Sequence, residues 1–324
     1  MKVATCRKYG AASGVRIESL PTPKPGPGEV LIRVLATTVT VADWRVRSLT
    51  VPRGFGLLTR AALGWRAPRQ PIMGTEFCGE IVALGDGAQG FARGDCVVGF
   101  SGAAMGCHAE FKVMSAAGAL IHKPTALTVE EAAAMCFGGT AALTFLQDKA
   151  GLQAGERVLV LGAAGVVGSA AVQIAKAMGA EVTAQGADQH WGVMKALGAR
   201  RVIDRNASDF TKLGQVWDVI FDTTGAVSFE QARKVLGPEG RVLLLAADLP
   251  QMLGALCNPV RRQKLRVGPA RERREDLRAL AAMAEAGEYR PLIDSQFDFA
   301  QMVEAHRRVE QRGKAGSVVV AVAD

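Results

Sequence analysis

The feature that most constrains this chain is a set of three glycines placed between two apolar stretches. Gly162, Gly165 and Gly168 follow the strand-like Arg157–Leu161 and open the helix-like residues 166–178. In such a strand–turn–helix, one glycine makes the tight turn, one lets the backbone approach a pyrophosphate and one lets helix and strand pack closely. The free N–H groups that begin the helix then bind phosphate. The pattern predicts a dinucleotide site, and the alternative is glycine used only for helix–sheet packing.

The rest of the chain alternates in a way that suits this site. From about Thr128, which begins a capping box with Glu131, apolar strands alternate with helical runs, which indicates βαβ units and a doubly wound parallel sheet. The first 125 residues or so contain short valine-rich strands between Gly/Pro turns, which favours a partly open β-barrel. The sequence therefore predicts an α/β protein with two domains. The final helix and strand suit either domain.

Composition excludes a disordered chain, a collagen and a coiled coil. The chain has 324 residues, 49% of them hydrophobic and 22% charged, which suits about two globular domains. No apolar run is long enough to span a bilayer and the first residues lack a signal-peptide core, so we expect a cytosolic protein. The six cysteines are scattered without a CxxC pair, so we expect free thiols.

The net charge of +8 is partly local. Six arginines and no acid lie between residues 45 and 69, and eight basic residues lie between 261 and 278. These clusters are expected to be solvated surface, with a phosphate-bearing partner or a basic rim around an anionic cofactor as the alternatives. No nucleic-acid motif accompanies them, so we expect neither a nucleic-acid nor a membrane partner.

Four further blocks agree in order and spacing with one family. They are residues 29–47, 73–100, 217–245 and 305–322, and the glycine spacing itself is GxxGxxG. Together they resemble the medium-chain dehydrogenase/reductase superfamily, most closely its quinone-oxidoreductase-like branch. The resemblance implies a GroES-like catalytic domain over residues 1–125, a Rossmann domain over 126–292 and a return to the catalytic domain over 293–324. It also implies a homodimer, with residues 248–260 contributing to an interface or a pocket wall.

Zinc is where this chain departs from many members of that superfamily. Zinc-dependent members use a Cys in a CxxD block, a His in GHE and a further Cys or Asp. Here Thr40 and Thr75 stand at the first two positions, and only Cys136 lies near the third. Threonine is not a competent zinc ligand, so the sequence predicts no catalytic metal.

The resemblance implies three catalytic candidates. Asp43 and Glu76 match retained carboxylates, with structural hydrogen bonding as an equal alternative. Arg45 stands where relatives place a Tyr or Lys near the substrate carbonyl, with a surface arginine as the alternative. Trp44 and Phe55 are expected to form apolar walls or core.

An adjacent Cys107–His108 pair resembles a nucleophile with its base. However, neighbouring residues on a strand point to opposite faces, which argues against that role.

The expected cofactor is NADPH, with NADH possible. No acid ends the second strand at Gln185 and Gly186, although Asp188 follows, and Arg205 lies where relatives contact the adenosine end. Thr140 resembles a family threonine that faces the nicotinamide, displaced by one position. The full set of expected cofactor-binding residues is Gly162, Ala163, Ala164, Gly165, Val166, Val167, Gly168, Gly186, Arg205, Thr140, Thr223, Thr224, Ala246 and Ala247.

The sequence thus predicts a zinc-independent oxidoreductase that passes hydride from NADPH to a quinone or an α,β-unsaturated carbonyl. Such acceptors are already electrophilic and need only hydrogen bonds or a positive charge at the developing oxyanion. The alternatives are an alcohol dehydrogenase of the same superfamily and a non-catalytic NADPH-binding protein.

Overall fold

The computed structural model describes residues 1–256 and 263–322. The chain forms two compact units. The first contains residues 1–51, 56–137 and 272–324, and the second contains residues 52–55 and 138–271.

The strands of the described residues are β1 (Lys2–Thr5), β2 (Arg16–Ser19), β3 (Glu29–Val39), β4 (Glu76–Leu84), β5 (Cys96–Phe100), β6 (Phe111–Ser115), β7 (Leu120–His122), β8 (Arg157–Leu161), β9 (Glu181–Gly186), β10 (Arg201–Asp204), β11 (Trp217–Asp222), β12 (Leu236–Leu244), β13 (Lys264–Arg266), β14 (Ile293–Asp298) and β15 (Ser317–Ala321). The α-helices are α1 (Val41–Ser48), α2 (Gly56–Leu63), α3 (Val129–Ala133), α4 (Cys136–Leu143), α5 (Val166–Ala177), α6 (Trp191–Ala196), α7 (Phe229–Ala232), α8 (Leu249–Leu256), α9 (Arg274–Glu285) and α10 (Met302–Glu310). A π-helical stretch, Thr144–Ala150, continues α4.

The first unit is built on a mostly antiparallel sheet. Its strand order is β14-β15-β3-β4-β5-β7, and β6 pairs with β3. Strand β15 pairs antiparallel with β3, so the end of the chain completes this unit and not the other. The fold class predicted from the sequence, a GroES-like domain with a parallel-sheet Rossmann domain, is confirmed.

The second unit is built on a parallel sheet with the order β10-β9-β8-β11-β12-β13. In chain order these strands read 3-2-1-4-5-6, the order of a dinucleotide-binding fold. Strand β8 is apolar almost throughout and is buried after its first residue, as expected of a central parallel strand. The order reverses between β8 and β11, so their carboxyl ends define the switch point at which such sheets bind ligands.

The compact units divide at residues other than the proposed domain limits of 125/126 and 292/293. Helix α3 packs against β3 and β4, and α9 packs against β7. Arg274 at the start of α9 also donates to the carbonyl of Gly118 at 2.8 Å. The change from strand to helix near Thr128 therefore marks a change of pattern and not the limit of a compact unit.

Several local predictions have structural outcomes. The capping box between Thr128 and Glu131 is confirmed, but the helical run that follows is divided into α3, α4 and the π-helical stretch. The segment 248–260 begins with α8, and its residues 257–260 lie outside the described residues.

None of the helices among the described residues combines the length and hydrophobicity that a bilayer crossing requires. The described cysteines are free thiols, as expected, and Cys257 lies outside the described residues.

Candidate functional site

The three glycines of the second unit lie in three different local environments. Gly162 has a φ of +76°, a left-handed conformation that favours glycine. A Cβ added at Gly168 would lie 2.1 Å from the carbonyl oxygen of Gly162, so only glycine lets α5 pack on the turn. A Cβ added at Gly165 would lie 3.3 Å from the carbonyl oxygen of Gly162, a slightly tight contact, and would meet no other protein atom within 4 Å. The turn and packing functions that the spacing predicts are thus visible at Gly162 and Gly168, and the approach of a pyrophosphate at Gly165 stays a prediction.

Helix α5 begins without a side-chain cap. Gly165 is its N-cap residue and makes no capping hydrogen bond. The first N–H groups of a helix have no intrahelical acceptor, and they carry the positive end of the helix dipole. The N–H groups of Val166, Val167 and Gly168 therefore have no intrahelical acceptor and suit an anion. By contrast, the N–H groups of Gly162 and Ala163 already donate to the carbonyl of Gln185.

The neighbouring strand places Thr223 and Thr224 against the glycine turn. The Thr223 hydroxyl donates to the carbonyl of Leu161 at 2.8 Å. A Cβ added at Gly162 would lie 2.5 Å from Thr224 Cγ2 and 2.7 Å from Thr223 Oγ1. The structure therefore brings the predicted residues of β8 and β11 together at the switch point.

Asp222 organises this corner and was missed by the sequence analysis. Its buried carboxylate accepts from the Thr224 hydroxyl at 2.6 Å and from the N–H groups of Thr224, Gly225 and Val227. An Asp followed by Thr, Thr and Gly is a turn signal that would have indicated it.

The end of β9 contains the residues expected to distinguish the two nicotinamide cofactors. The Arg205 N–H donates to the carbonyl of Gly186 at 3.0 Å, which fixes Arg205 beside the end of this strand. Its side chain is exposed, and no carboxylate of the described residues pairs with it. The Asp188 carboxylate accepts from the N–H of Gln189 at 2.8 Å.

Thr140 lies on α4 close to the glycine turn. Its hydroxyl oxygen is buried and has no hydrogen-bond partner among the described residues. A Cβ added at Gly138 would lie 2.7 Å from the carbonyl oxygen of Val166, so Gly138 lets α4 approach the start of α5 closely. Ala246 and Ala247 follow the carboxyl end of β12, which lies beside β11 in the sheet.

In the first unit, Asp43 is buried and fully hydrogen-bonded. One carboxylate oxygen accepts from the N–H and the hydroxyl of Thr40, both at 2.7 Å, and forms the capping box of α1. The other oxygen accepts from the N–H of Gly74 at 2.7 Å. Asp43 therefore joins the start of α1 to the loop before β4.

Glu76 is a buried carboxyl at the first position of β4. Its oxygens accept from the Thr38 hydroxyl and the Phe137 N–H, both at 2.6 Å. Burial raises the pKa of Glu76 to about 7, and the charge of Asp43 acts in the same direction. Glu76 therefore ionises near neutral pH, whereas an ordinary glutamate has a pKa of 4.5.

Arg45 lies on α1 and is half-buried. No carboxylate of residues 1–256 or 263–322 forms an ion pair with its guanidinium. Burial lowers the pKa of Arg45 below its ordinary value. Trp44 packs against a core that includes Val39 and Met302, whereas Phe55 belongs to the second unit and is half-buried.

Cys107 and His108 are both buried and lie in the loop before β6, not on a strand. Burial raises the pKa of the Cys107 thiol to about 11, so it is not a thiolate at neutral pH. A ring nitrogen of His108 forms a 2.9 Å hydrogen bond with the carbonyl of Thr38. The pair therefore lacks the features of a nucleophile and its base.

Known proteins match this architecture along the whole chain. A family model described as the alcohol dehydrogenase GroES-like domain matches residues 26–196, and one described as a zinc-binding dehydrogenase matches residues 197–320. The chloroplastic quinone oxidoreductase QR1 of Triphysaria versicolor is 27% identical over 96% of this chain and 95% of its own length. The chain belongs to the quinone-oxidoreductase-like branch of the medium-chain dehydrogenase/reductase superfamily.

Two solved structures of this superfamily illustrate its range. The quinone oxidoreductase from Coxiella burnetii has a TM-score of 0.87 at 24% identity, covering 100% of this chain and 99% of its own. A structure described as an NAD-dependent alcohol dehydrogenase has a TM-score of 0.84 at 26% identity, covering both chains fully. This chain is an oxidoreductase of a family that binds NAD(P).

The superfamily includes zinc enzymes, but the donors of this chain do not fit zinc. The Thr40 hydroxyl donates to Asp43, and the Thr75 hydroxyl is buried without a partner among the described residues. Burial raises the pKa of the Cys136 thiol well above 9.0. Among the described residues, no group of three or more His, Cys, Asp or Glu side chains is arranged to hold a metal ion.

Proposed function

We propose that this protein is a zinc-independent reductase that transfers hydride from NADPH to a quinone or an α,β-unsaturated carbonyl. The observation that carries the proposal is the donor set of the first unit. Thr40 and Thr75 stand where zinc-dependent relatives place metal ligands, and Arg45 provides a half-buried positive charge that no carboxylate of the described residues pairs with. Alcohol oxidation in zinc enzymes relies on a Lewis acid, whereas an electrophilic acceptor does not need one.

The residues of the second unit fit a dinucleotide. Gly165, which has no side chain, lets the backbone approach its pyrophosphate, and the uncapped N–H groups of Val166, Val167 and Gly168 would hold it. When bound, the cofactor supplies the hydride. Gly162, Thr223 and Thr224 would border it at the switch point, and Thr140 would offer its unpartnered hydroxyl.

The preference for NADPH is supported at the end of β9. Arg205 is exposed, fixed through its backbone, and has no carboxylate partner among the described residues. It is therefore available for a 2′-phosphate. We expect Arg205→Ala to raise the KM for NADPH at least tenfold while leaving that for NADH unchanged. The matched control is Arg201→Ala, an exposed arginine at the start of β10, the strand that Arg205 directly follows.

In the first unit we assign Arg45 to the acceptor. Its guanidinium would donate to the oxyanion that develops on a quinone or enone oxygen. Asp43 and Glu76 direct both of their carboxyl oxygens to protein groups, so we assign them positioning functions, the alternative that the sequence left open.

The test is NADPH oxidation with a panel of quinones and enones, together with the reverse assay with alcohols. We expect turnover with electrophilic acceptors that chelators leave unchanged. Arg45→Met should lower kcat by about 10²-fold without changing the affinity for NADPH, because one charge-stabilising donor is worth that much. The control Arg33→Met removes an arginine that instead pairs with Glu80.

Two results would overturn the proposal. Alcohol oxidation with stoichiometric bound zinc would identify an alcohol dehydrogenase. Tight NADPH binding without turnover on any acceptor would favour the non-catalytic alternative.

A further inference from the structure

Helix α2 lies on the surface of the first unit without covering a core. None of its eight residues is buried, although the sequence GLLTRAAL is largely apolar. Leu57 is 74% exposed, Leu58 is 60% exposed, and Trp65, two residues after the helix, is 61% exposed. Helices of fewer than about 12 residues are marginal in water without tertiary packing. An exposed apolar surface of this kind marks a place where the protein meets a partner.

The same segment carries only positive charge. Residues 44–75 contain six arginines and no Asp or Glu. Three of these arginines, Arg60, Arg66 and Arg69, belong to residues 56–69, which we call the basic apolar segment. No carboxylate among the described residues forms an ion pair with any of the three.

The basic apolar segment is held in a defined conformation. Arg60 donates to the carbonyl of Trp65 at 2.7 Å, and Arg69 donates to the carbonyl of Ala62 at 3.3 Å, so both satisfy acceptors at the end of α2. The Tyr9 hydroxyl donates to the carbonyl of Gly64 at 2.8 Å and attaches the segment to the first unit. Its exposed leucines and tryptophan and its arginines therefore belong to one ordered segment of the first unit.

We propose that the basic apolar segment docks on the surface of an anionic lipid bilayer. Leucines enter the boundary of the acyl chains, tryptophan favours the headgroup level, and arginines attract anionic headgroups. The sequence alone favoured solvated surface and no membrane partner for this stretch. The exposure of three large apolar side chains beside uncompensated arginines changes that expectation.

Other occupants suit the segment less well. Nucleic acid would use the arginines but not two exposed leucines. In the second basic cluster, Arg271 pairs with Asp148 and Arg273 pairs with Asp276. A stable interface with a second copy of the chain needs about 800 Å² on each side. A two-turn helix is only about 12 Å long, so α2 by itself is too small to provide that area.

The test is co-sedimentation of the full chain with vesicles. We expect binding to vesicles of phosphatidylcholine with 30% phosphatidylglycerol to be at least tenfold tighter than to pure phosphatidylcholine, and to weaken with salt. The triple variant Leu57→Ser, Leu58→Ser, Trp65→Ser should lose binding. Arg66→Glu should weaken it about tenfold. The matched control is Ile17→Ser, which removes an apolar side chain that is 42% exposed on β2 of the same unit.

Tryptophan fluorescence provides a second measurement if the triple variant fails to fold. Anionic vesicles should shift the emission of the wild-type protein to shorter wavelength, and Trp65→Phe should abolish the shift. Vesicle binding is measured without substrate, so its outcome is independent of the proposed reductase activity.

Three results would overturn the docking proposal. The first is equal binding to neutral and anionic vesicles, or undiminished binding by the triple variant. The second is salt-sensitive binding to a DNA oligonucleotide in the absence of vesicle binding. The third is a change of sedimenting mass in the triple variant without vesicle binding, which would identify a contact between copies.

Discussion

Replacement of Glu76 by glutamine tests the most unusual electrostatic feature of the first unit. Burial raises the pKa of Glu76 from its ordinary value of 4.5 to about 7, and the charge of Asp43 contributes. Hydrogen bonds from Thr38 and from the N–H groups of Phe137 and Cys136 oppose the rise but do not cancel it. The folded protein therefore holds this proton more tightly than the unfolded chain does.

The sign of the pH dependence follows from linkage. The stabilising contribution of the protonated carboxyl is complete below pH 4.5, the pKa in the unfolded chain. It is lost as the pH rises to about 7, the pKa in the folded protein. A pKa difference of this size corresponds to about 3 kcal/mol of unfolding free energy. Glu76→Gln removes the titration and keeps both hydrogen bonds, because its amide oxygen accepts from Phe137 and its amide nitrogen donates to Thr38.

The assay is denaturant unfolding of both proteins at several pH values between 4.5 and 8. We expect the stability of Glu76→Gln relative to the wild type to increase by about 3 kcal/mol across this range. Taking the difference cancels the titration of other groups. Glu80→Gln, four residues along the same strand and paired with Arg33 at the surface, is the matched control. Parallel pH profiles for the wild type and Glu76→Gln would refute the reasoning.

Three further predictions concern other buried or crowded positions. Gly168→Ala should both destabilise the protein and abolish dinucleotide binding, because its Cβ would lie 2.1 Å from a backbone oxygen. Gly165→Ala should fold normally and lose at least tenfold in affinity for the dinucleotide. Thermal melts and NADPH titrations check both variants, and equal behaviour of the two would contradict the prediction. Asp43→Asn should cost about 2 kcal/mol of unfolding free energy, because the new NH2 group would face the donors of Thr40 or the N–H of Gly74 and could not accept from them. The control Asp86→Asn, at an exposed position, should cost almost nothing in the same denaturant titration. Burial, with the charges of His108 and Arg47, lowers the pKa of His306 well below 6.5. The unfolding free energy should therefore fall as the pH drops through 6.5, and His306→Gln should reduce that fall. An equal loss of unfolding free energy between pH 7 and pH 5 in the wild type and in His306→Gln would argue against the prediction.

Fold and cofactor turn were predictable because local sequence patterns carry them. Three glycines at fixed spacing after a buried strand have few alternative uses, and Gly162 and Gly168 make the turn and the close packing that the spacing predicts. Thr223 and Thr224 were predictable because parallel strands end at the same edge of a sheet. Asp222 was missed although its turn sequence is a local signal, because the burial of its carboxylate and its hydrogen bond from the N–H of Val227 exist only in the folded chain.

The first unit shows how tertiary structure decides what a sequence leaves open. The sequence identified Asp43 and Glu76 as notable carboxylates but left catalytic and structural functions equal. Their hydrogen-bond partners, Gly74 and Phe137, are 31 and 61 residues away along the chain. No local pattern encodes such contacts.

The sequence by itself determined the α/β class, the glycine turn and the threonines at the metal-ligand positions, because these depend on residue type and short-range spacing. Tertiary structure decided where the compact units divide, which sheet receives the last strand and how strongly Glu76 holds its proton. It also decided that α2 covers no core. These properties depend on which distant atoms exclude water from a group, and burial of that kind exists only after the chain has folded.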